Sequence, residues 1–153
     1  MTPDDIDRQL LAHLQTDARA GLRTLADATG LSVTSAQRRI ARMRSEGVIQ
    51  GEVAVIDPKA LDHPMTFVVQ VEMERERAHD IDAFARRCQA ETRVQQCYYV
   101  TGEADFILIC LTRDMEDFED LSRHLFFDNT NVRRFRTSVA MGRRKVTLSV
   151  PTG

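Results

Sequence analysis

The sequence predicts an α+β protein in which a three-helix region precedes a sheet with the element order β-α-β-β-α-β. Apolar residues recur at helical spacing up to residue 46, whereas beyond Gly47 several stretches alternate apolar and polar residues, as strands with one buried face do. Two further helical segments separate those stretches, which gives the order of a ferredoxin-like sandwich. A chain of 153 residues is long enough for two small domains of this kind.

The first helix is predicted from its N-terminal signals. Thr2 is placed to cap it, and Pro3 would occupy its first helical position. Ile6, Leu10 and Leu14 follow at helical spacing and define one apolar stripe. This stripe is expected to face the core of the N-terminal region.

The second and third helices, predicted over 22–29 and about 33–46, have the pattern of a helix-turn-helix. Gly30 is placed to end the second helix in the left-handed conformation, Ser32 to cap the third, and Gly47 to end it. Two helices joined by a short turn that contains glycine form this motif, and its second helix enters the major groove of DNA.

The side of the third helix opposite its apolar stripe carries candidate DNA-contacting residues. These are Thr34, Ser35, Gln37, Arg38, Arg39 and Arg42. Short polar side chains at a helix start can reach base edges, and arginines contact phosphates or guanine. A solvated, arginine-rich helix face has the same pattern. The segment from Ser32 to Ser45 contains no acid, however, and this favours DNA binding because solvated faces usually mix signs.

The stretches after Gly47 predict the remaining elements. The N-terminal three-helix domain is expected to be winged-helix-like. Short strands are predicted at 48–49 and 53–56, and Asp57-Pro58 marks a turn or hinge. The sheet region comprises, in order, strand 67–73, a helix through 81–88, strands 94–101 and 106–112, a helix through 115–125, strand 132–141 and an edge piece at 146–150.

Two helices can cover only one face of the predicted sheet. A second subunit in a two-fold arrangement is therefore expected to bury the other face, and Tyr99 is a candidate for that face. Such pairing also suits a helix-turn-helix, since two recognition helices then read two half-sites.

Composition excludes several classes of protein. The longest apolar run, 106–111, is far shorter than the roughly 20 residues of a membrane-spanning helix. The acidic start of the chain does not have the pattern of a signal peptide. Cys88, Cys97 and Cys110 show no paired spacing, so neither a disulfide framework nor a zinc site is expected. The sequence thus predicts a cytoplasmic protein with reduced thiols and no membrane partner.

Motifs for catalysis, metal binding and cofactors do not occur in the sequence. The four histidines are scattered, with no HxxxH pair, and there is no GxSxG, Walker or GxGxxG pattern. We therefore predict no catalytic residues, no metal site and no cofactor, and hence no enzyme.

Charge is distributed unevenly along the chain. Residues 53–132 carry eight Lys or Arg against sixteen Asp or Glu, while 133–153 carry six Lys or Arg and no acid. A chain coated in nucleic acid would not have so acidic a middle, so any DNA contact must be local.

Four segments, taken in order and spacing, resemble the Lrp/AsnC (feast/famine) family of transcriptional regulators. They are Ile6-Asp7-Arg8-Gln9-Leu10-Leu11, Gly30-Leu31-Ser32 with Arg38-Arg39-Ile40, Gly47-Val48-Ile49-Gln50-Gly51, and Val100-Thr101-Gly102-Glu103-Ala104-Asp105-Phe106. The resemblance implies an N-terminal helix-turn-helix and a C-terminal ligand-responsive αβ sandwich. It also implies double-stranded DNA and a small amino-acid-like effector as partners, and homodimers that often assemble into octamers of four dimers.

The resemblance further implies that the effector binds between dimers at the loop Gly102–Asp105. The candidate effector-binding residues are Val100, Gly102, Glu103, Ala104, Asp105, Thr137 and Ser138. Gly102 would let backbone N–H groups approach a ligand carboxylate, and Glu103 or Asp105 could pair with an ammonium group. From the residues alone, a plain hairpin turn remains the alternative.

The sequence departs from the family pattern at two places. The last strand carries Arg133, Arg134 and Arg136 where relatives have more neutral residues, and Val33 follows Ser32 where relatives usually have proline. We interpret the arginines as structural charges on an exposed sheet face, or else as residues that bind an acidic effector side chain.

We predict three regions: a DNA-binding domain at 1–50, a linker at 51–63, and a sensing and oligomerisation domain at 64–153. Two alternatives to a regulator remain. One is an enzyme on the same fold, a decarboxylase of modified haem, although the intact basic helix argues against it. The other is a ligand sensor whose helix-turn-helix is vestigial.

Overall fold

The computed structural model describes residues 2–153, in which three helices are followed by the predicted β-α-β-β-α-β order. The helices are α1 (Asp5–Thr16), α2 (Leu22–Thr29), α3 (Val33–Ser45), α4 (Ala78–Ala90) and α5 (Met115–Ser122). The strands are β1 (Met65–Met73), β2 (Val94–Tyr99), β3 (Phe106–Thr112) and β4 (Val132–Val139). A short 3₁₀ turn, Pro58–Leu61, precedes β1, and a π-helical turn, Arg123–Phe127, extends α5. The predicted α+β class is confirmed.

The cap of α1 differs from the prediction. Asp4, and not Thr2, occupies the cap position, because its Oδ1 accepts a hydrogen bond from the Asp7 N–H at 2.8 Å. The Asp4 N–H in turn donates to Asp7 Oδ2 at 3.3 Å, so the two residues form a capping box. Helix α1 therefore begins at Asp5, and Pro3 lies outside it.

The turn between α2 and α3 forms as predicted. Gly30 ends α2 with φ of +68°, which glycine adopts without steric cost. The Ser32 hydroxyl caps α3 by accepting a hydrogen bond from the Ser35 N–H at 3.2 Å. The three helices enclose one small core, whose buried members are Leu10, Leu25, Ala26, Ala36, Ile40 and Met43.

One buried carboxylate joins α1 to α3. The Asp7 side chain is 1% exposed, and its two oxygens lie 2.9 Å from Arg39 Nη1 and 2.9 Å from Arg42 Nη2. Arg39 Nη1 also lies 2.7 Å from Asp4 Oδ2, and this hydrogen bond lowers the pKa of the Asp4 carboxyl. Two arginines of α3 thus neutralise a charge that burial would otherwise make costly.

The strands predicted at 48–49 and 53–56 do not form in the described chain. The N–H groups of Val48 and Ile49 both donate to the Met43 carbonyl, at 2.9 and 3.1 Å, and their side chains pack on the three-helix core. Residues 53–56 pair with no other strand among residues 2–153. Only these two strands are wrong in the winged-helix-like prediction, because alternation alone supplies no partner strand.

The chain divides into two compact units whose limits differ from the predicted domains. One unit runs to Val55 and includes the tail Val146–Gly153, and the other is Ile56–Lys145. The sequence placed the tail in the sheet domain, as an edge strand at 146–150, and this strand does not form.

The tail lies with the N-terminal unit because Gln15 of α1 binds its backbone. Gln15 Nε2 donates to the Val150 carbonyl at 3.0 Å, and Gln15 Oε1 accepts from the Val150 N–H at 2.6 Å. The side-chain amide thus supplies the donor and the acceptor that a neighbouring strand would have supplied.

The second unit is a four-stranded antiparallel sheet in the order β2-β3-β1-β4, with α4 and α5 on one face. Aromatic contacts bind the helices to the strands. Phe67 of β1 stacks on Phe118 of α5 with ring centroids 3.9 Å apart, and Phe84 of α4 contacts Phe106 of β3 at 4.8 Å. Such pairs add to the free energy of burial, so this face is the core of the unit.

Arg93 ties the start of β2 to α5. Its Nη1 lies 3.0 Å from Asp117 Oδ1 and 2.9 Å from Asp120 Oδ2, and its Nε lies 2.9 Å from Glu91 Oε1. Burial acts to raise the pKa of Asp117, but hydrogen bonds from Arg113 and Arg93 outweigh it and lower that pKa to about 2. Asp117 is therefore ionised at neutral pH, and its ion pair with Arg93 holds the start of β2 against α5.

Within residues 56–145, no helix packs on the other face of the sheet. It carries the half-buried apolar side chains Val68, Ile107, Ile109 and Leu111. The placement of Tyr99 on this face is wrong: Tyr99 opposes Phe106 and contacts its ring at 5.3 Å, on the helix side. Tyr98, opposite Ile107, is the tyrosine of the open face.

The Asp7 ion pairs predict an asymmetric response to mutation. The double variant Arg39→Ala/Arg42→Ala leaves a buried carboxylate without a partner and should lower the free energy of unfolding by about 3–5 kcal/mol. Asp7→Asn removes the charge and should cost only about 1 kcal/mol, because both arginines can turn to water. Hydrogen exchange of the α1 and α3 amides would measure both losses, and equal losses would contradict this role of Asp7.

Candidate DNA-binding and effector sites

One side of α3 presents unpartnered polar side chains to solvent. Thr34, Gln37 and Arg38 are exposed at helical spacing, and no other side chain or backbone group among residues 2–153 pairs with their side chains. They lie opposite the buried Ala36 and Ile40, which fix the rotation of the helix on its core. Amide and guanidinium groups in this position have the geometry for reading base edges and phosphates.

The other predicted DNA-contacting residues have partners within the protein. Arg39 and Arg42 hold the buried Asp7, although Arg42 is still 46% exposed. Ser35 shares a hydrogen bond with the Ser32 hydroxyl at 2.9 Å, as part of the helix cap. The six predicted residues therefore divide into a solvent-facing trio and three that also serve the fold.

Sequence reasoning missed Asp7, and a signal for it was available. Asp7 stands at the same helical spacing as Leu10, Leu11 and Leu14, so it occupies a position of the apolar stripe. An acid on such a stripe must be paired when it is buried, and the arginine-rich α3 supplies the nearest cations. The spacing thus indicated a structural role for some of these arginines.

The loop between β2 and β3 is closed by its own backbone and tied to β1. The Val100 N–H donates to the Asp105 carbonyl at 2.9 Å, and the Asp105 N–H donates to the Val71 carbonyl at 2.9 Å. The Asp105 carboxylate accepts a hydrogen bond from the Met73 N–H at 2.6 Å. Asp105 therefore holds the loop in place, and its carboxylate is already engaged by the backbone.

The turn itself leaves donors exposed. Gly102 has φ of +124°, a region that only glycine adopts readily, and it is exposed together with Thr101 and Glu103. Within residues 2–153, the backbone N–H groups from Thr101 to Ala104 donate to no protein acceptor. Successive free N–H groups of this kind form a concavity suited to an anion.

Glu103 is the exposed acid of the loop, and unlike Asp105 its carboxylate is not bound to the backbone. Its side chain is 87% exposed, and Oε2 lies 3.2 Å from Arg136 Nη1 on β4. Arg134 Nη2 lies 2.7 Å from Glu72 Oε1, and this hydrogen bond lowers the pKa of Glu72. The arginines of β4 are thus balanced by acids.

Thr137 and Ser138 do not join the loop in one chain. Thr137 opposes Val69 and Ser138 opposes Val68, so the two side chains lie on opposite faces of the sheet. The β4 residue that reaches the loop is Arg136. The predicted effector residues that the single chain brings together are therefore Val100, Gly102, Glu103, Ala104 and Asp105.

The three cysteines are free thiols. Cys88 and Cys97 line a cavity of about 390 Å³ between α4 and β2, and the hydrogen bond from Cys88 lowers the pKa of Cys97. Burial raises the pKa of Cys110 to about 12.

No set of three potential metal ligands among residues 2–153 is close enough together to bind an ion, and no helix in that range is long and apolar enough to cross a membrane.

Two family models match the chain. The AsnC-type helix-turn-helix domain matches residues 4–44, and the Lrp/AsnC ligand binding domain matches residues 66–150. The HTH-type transcriptional regulator y4tD of Sinorhizobium fredii is 44% identical over 99% of this chain and 89% of its own length.

Solved structures agree with these matches over the whole fold. An AsnC family transcriptional regulator from Agrobacterium tumefaciens superposes with a TM-score of 0.90 at 26% identity, covering 97% of each chain. The feast or famine regulatory protein from Mycobacterium tuberculosis, complexed with L-methionine, gives a TM-score of 0.85 at 32% identity over 96% of this chain and 97% of its own. With both domains matched in their expected order, the chain belongs to the Lrp/AsnC family of helix-turn-helix transcriptional regulators.

Proposed function

We propose that the protein is a dimeric, cytoplasmic transcriptional regulator without catalytic activity, whose affinity for specific double-stranded DNA changes when a small amino acid binds. The observation that carries the proposal is the exposed and unpaired trio Thr34, Gln37 and Arg38 on α3, supported from behind by the ion pairs of Asp7. A recognition helix needs both free polar side chains and a rigid backing.

DNA reading would be divided among the residues of α3. Gln37 can form a bidentate pair with adenine, and Arg38 with guanine or a phosphate. Thr34, nearest the helix start, suits contact with a base edge or a thymine methyl group. Arg39, Ser35 and the exposed part of Arg42 would add phosphate contacts at the rim while they hold the helix.

The effector site would use the free N–H groups of the turn for a ligand carboxylate and Glu103 for the ligand ammonium group. The regulator from Mycobacterium tuberculosis binds L-methionine, which supports an amino acid as the ligand class. Val100 and Ala104 would border the site, and Asp105 would fix the turn. Thr137 and Ser138 would be supplied where a second chain meets the loop.

The open sheet face would form the dimer interface. Val68, Ile107 and Ile109 form an apolar strip on it that neither helix of the sheet unit covers, within residues 56–145. Pairing two such faces buries the strip and gives the two-fold symmetry that a repeated DNA half-site requires. Further assembly of four dimers into an octamer would bring effector loops of neighbouring dimers together, so ligand could shift DNA affinity through assembly.

The DNA proposal predicts that Arg38→Gln weakens binding to the operator about tenfold or more, since one bidentate pair contributes roughly 1–3 kcal/mol. Titration of labelled operator DNA would measure it, with thermal unfolding unchanged because Arg38 has no partner in the protein. Arg86→Gln is the matched control, since Arg86 is exposed on α4. Wild-type affinity in the Arg38 variant would exclude this face of α3 as the recognition surface.

The effector proposal predicts that Glu103→Gln lowers amino-acid affinity about tenfold or more, because a charge-assisted hydrogen bond contributes roughly 1.5–3 kcal/mol. Gly102→Val should abolish the response, since valine cannot adopt φ of +124° without strain. Calorimetry with the twenty amino acids would test both, with the exposed Glu76→Gln as control. Unchanged binding in both loop variants would remove this site.

The dimer proposal predicts that Ile109→Asp produces a monomer, since a carboxylate at the centre of the buried strip would lack a partner. Light scattering at micromolar concentration should show a wild-type dimer, and Met115→Asp, on the exposed start of α5, should leave it intact. A wild-type monomer would contradict the proposal.

A further inference from the structure

The six cations of residues 133–153 fall into two groups in the structure. The three on β4, Arg133, Arg134 and Arg136, each have a carboxylate oxygen within 4.0 Å. Their positive charge is thus largely balanced by acids of the same unit. They contribute little field to attract a polyanion.

The second group, Arg143, Arg144 and Lys145, is here named the basic strap. All three residues are exposed, and no acid within residues 2–153 pairs with any of them. Three consecutive cations without a counter-charge repel one another, and this repulsion is relieved when an anion binds. The basic strap therefore presents uncompensated positive charge.

The basic strap is the last segment of the sheet unit, and the chain continues from it directly into a segment of the N-terminal unit. The strap is followed directly by the tail Val146–Gly153, which belongs to that unit. Gln15 binds both backbone groups of Val150, at 3.0 and 2.6 Å. Since Lys145 lies only five residues before Val150, it can be at most roughly 17 Å away from this anchor.

The anchor lies at the corner between α1 and α2. Gln15 is in the last turn of α1, and α2, the first helix of the helix-turn-helix, begins at Leu22. In this motif the first helix crosses the DNA backbone. Arg19 and Arg23 at the same corner are also exposed and have no acidic partner in the described part of the chain. A cation joined to Val150 by a few residues is therefore within chain reach of the phosphates that such a helix crosses.

We propose that the basic strap is a second DNA contact, which binds phosphate groups of the backbone flanking the bases that α3 reads. The proposal rests on the proposed DNA-binding function and adds a binding element outside the helix-turn-helix. Guanidinium and ammonium groups bind phosphate oxygens without regard to sequence. The strap thus contributes affinity and positioning, while α3 contributes specificity.

The test is the salt dependence of DNA binding by the full-length triple variant Arg143→Gln/Arg144→Gln/Lys145→Gln. Each lost phosphate contact should reduce the log–log slope of affinity against salt by about 0.9. We expect a loss of one to three contacts per chain, and a fall in affinity that is the same for operator and unrelated DNA. Circular dichroism checks that the exposed substitutions leave the fold intact.

The matched control is Lys59→Gln/Arg77→Gln/Arg86→Gln, which removes one lysine and two arginines that are exposed elsewhere in the sheet unit, far along the chain from the tail. It changes net charge equally and should keep the wild-type slope. An unchanged slope in the strap variant would overturn the proposal. A slope reduced equally in both variants would also overturn it, because net charge would then be the cause.

Gln15→Ala tests the anchor without changing charge. It should reduce the slope in the same direction as the strap variant, because the freed tail no longer holds the cations at the corner, and an unchanged slope would contradict the anchoring role. Arg38→Gln separates this proposal from the assignment of α3. Wild-type operator affinity in the Arg38 variant would refute the recognition face of α3. The salt dependence of the strap variant tests only whether the strap contacts phosphates.

Discussion

The N-terminal unit depends on the buried carboxylate of Asp7. Its two oxygens contact Arg39 and Arg42, so the first helix fixes both the position and the rotation of the recognition helix. The same contacts decide which arginines remain available for DNA. A guanidinium that neutralises a buried acid cannot leave it without a large cost in the free energy of folding. Arg38 has no such partner among residues 2–153, so binding DNA would break no ion pair. Arg38 and Arg42 share one side of the helix at a spacing of four residues, yet only Arg42 is bound to Asp7, so the proposed DNA-reading group is the one that the fold does not use.

In the second unit, the central strand β1 has a comparable role. Its Val71 carbonyl and Met73 N–H hold the backbone and the carboxylate of Asp105, which fixes the turn that contains Gly102. Glu72 of the same strand contacts the arginines of β4, and one of these, Arg136, reaches Glu103. A ligand that engages Glu103 competes with Arg136 and therefore acts on an ion-pair network that spans the open face. The proposed effector loop and the proposed dimer surface are in this way linked through one strand.

The element order, the Gly30 turn and the Ser32 cap could be predicted because each depends on local chemistry within a few residues. Features that depend on distant partners could not. Tyr99 was assigned to the wrong face because a register shift between Val94 and Gln96 breaks the strict alternation along β2. The role of Asp7 required knowing that α3 packs on α1. The edge strand predicted at 146–150 does not form, and Val150 instead bonds to Gln15, 135 residues away. For the proposed effector site, the sequence located the turn. It could not show that the Asp105 carboxylate already accepts a hydrogen bond from the Met73 N–H of β1.

The charge distribution explains how such a protein can remain responsive. Residues 53–132 are strongly acidic, and the arginines of β4 are paired with acids. These parts of the surface therefore repel DNA or have little positive potential to attract it. DNA binding would then depend on a small number of cations, such as Arg38, that have no acidic partner among residues 2–153. A few phosphate contacts would give only a moderate share of the binding free energy, and that share falls as salt rises. A coupling free energy of about 1–3 kcal/mol, typical of allosteric ligands, is then enough to move the operator between largely occupied and largely free.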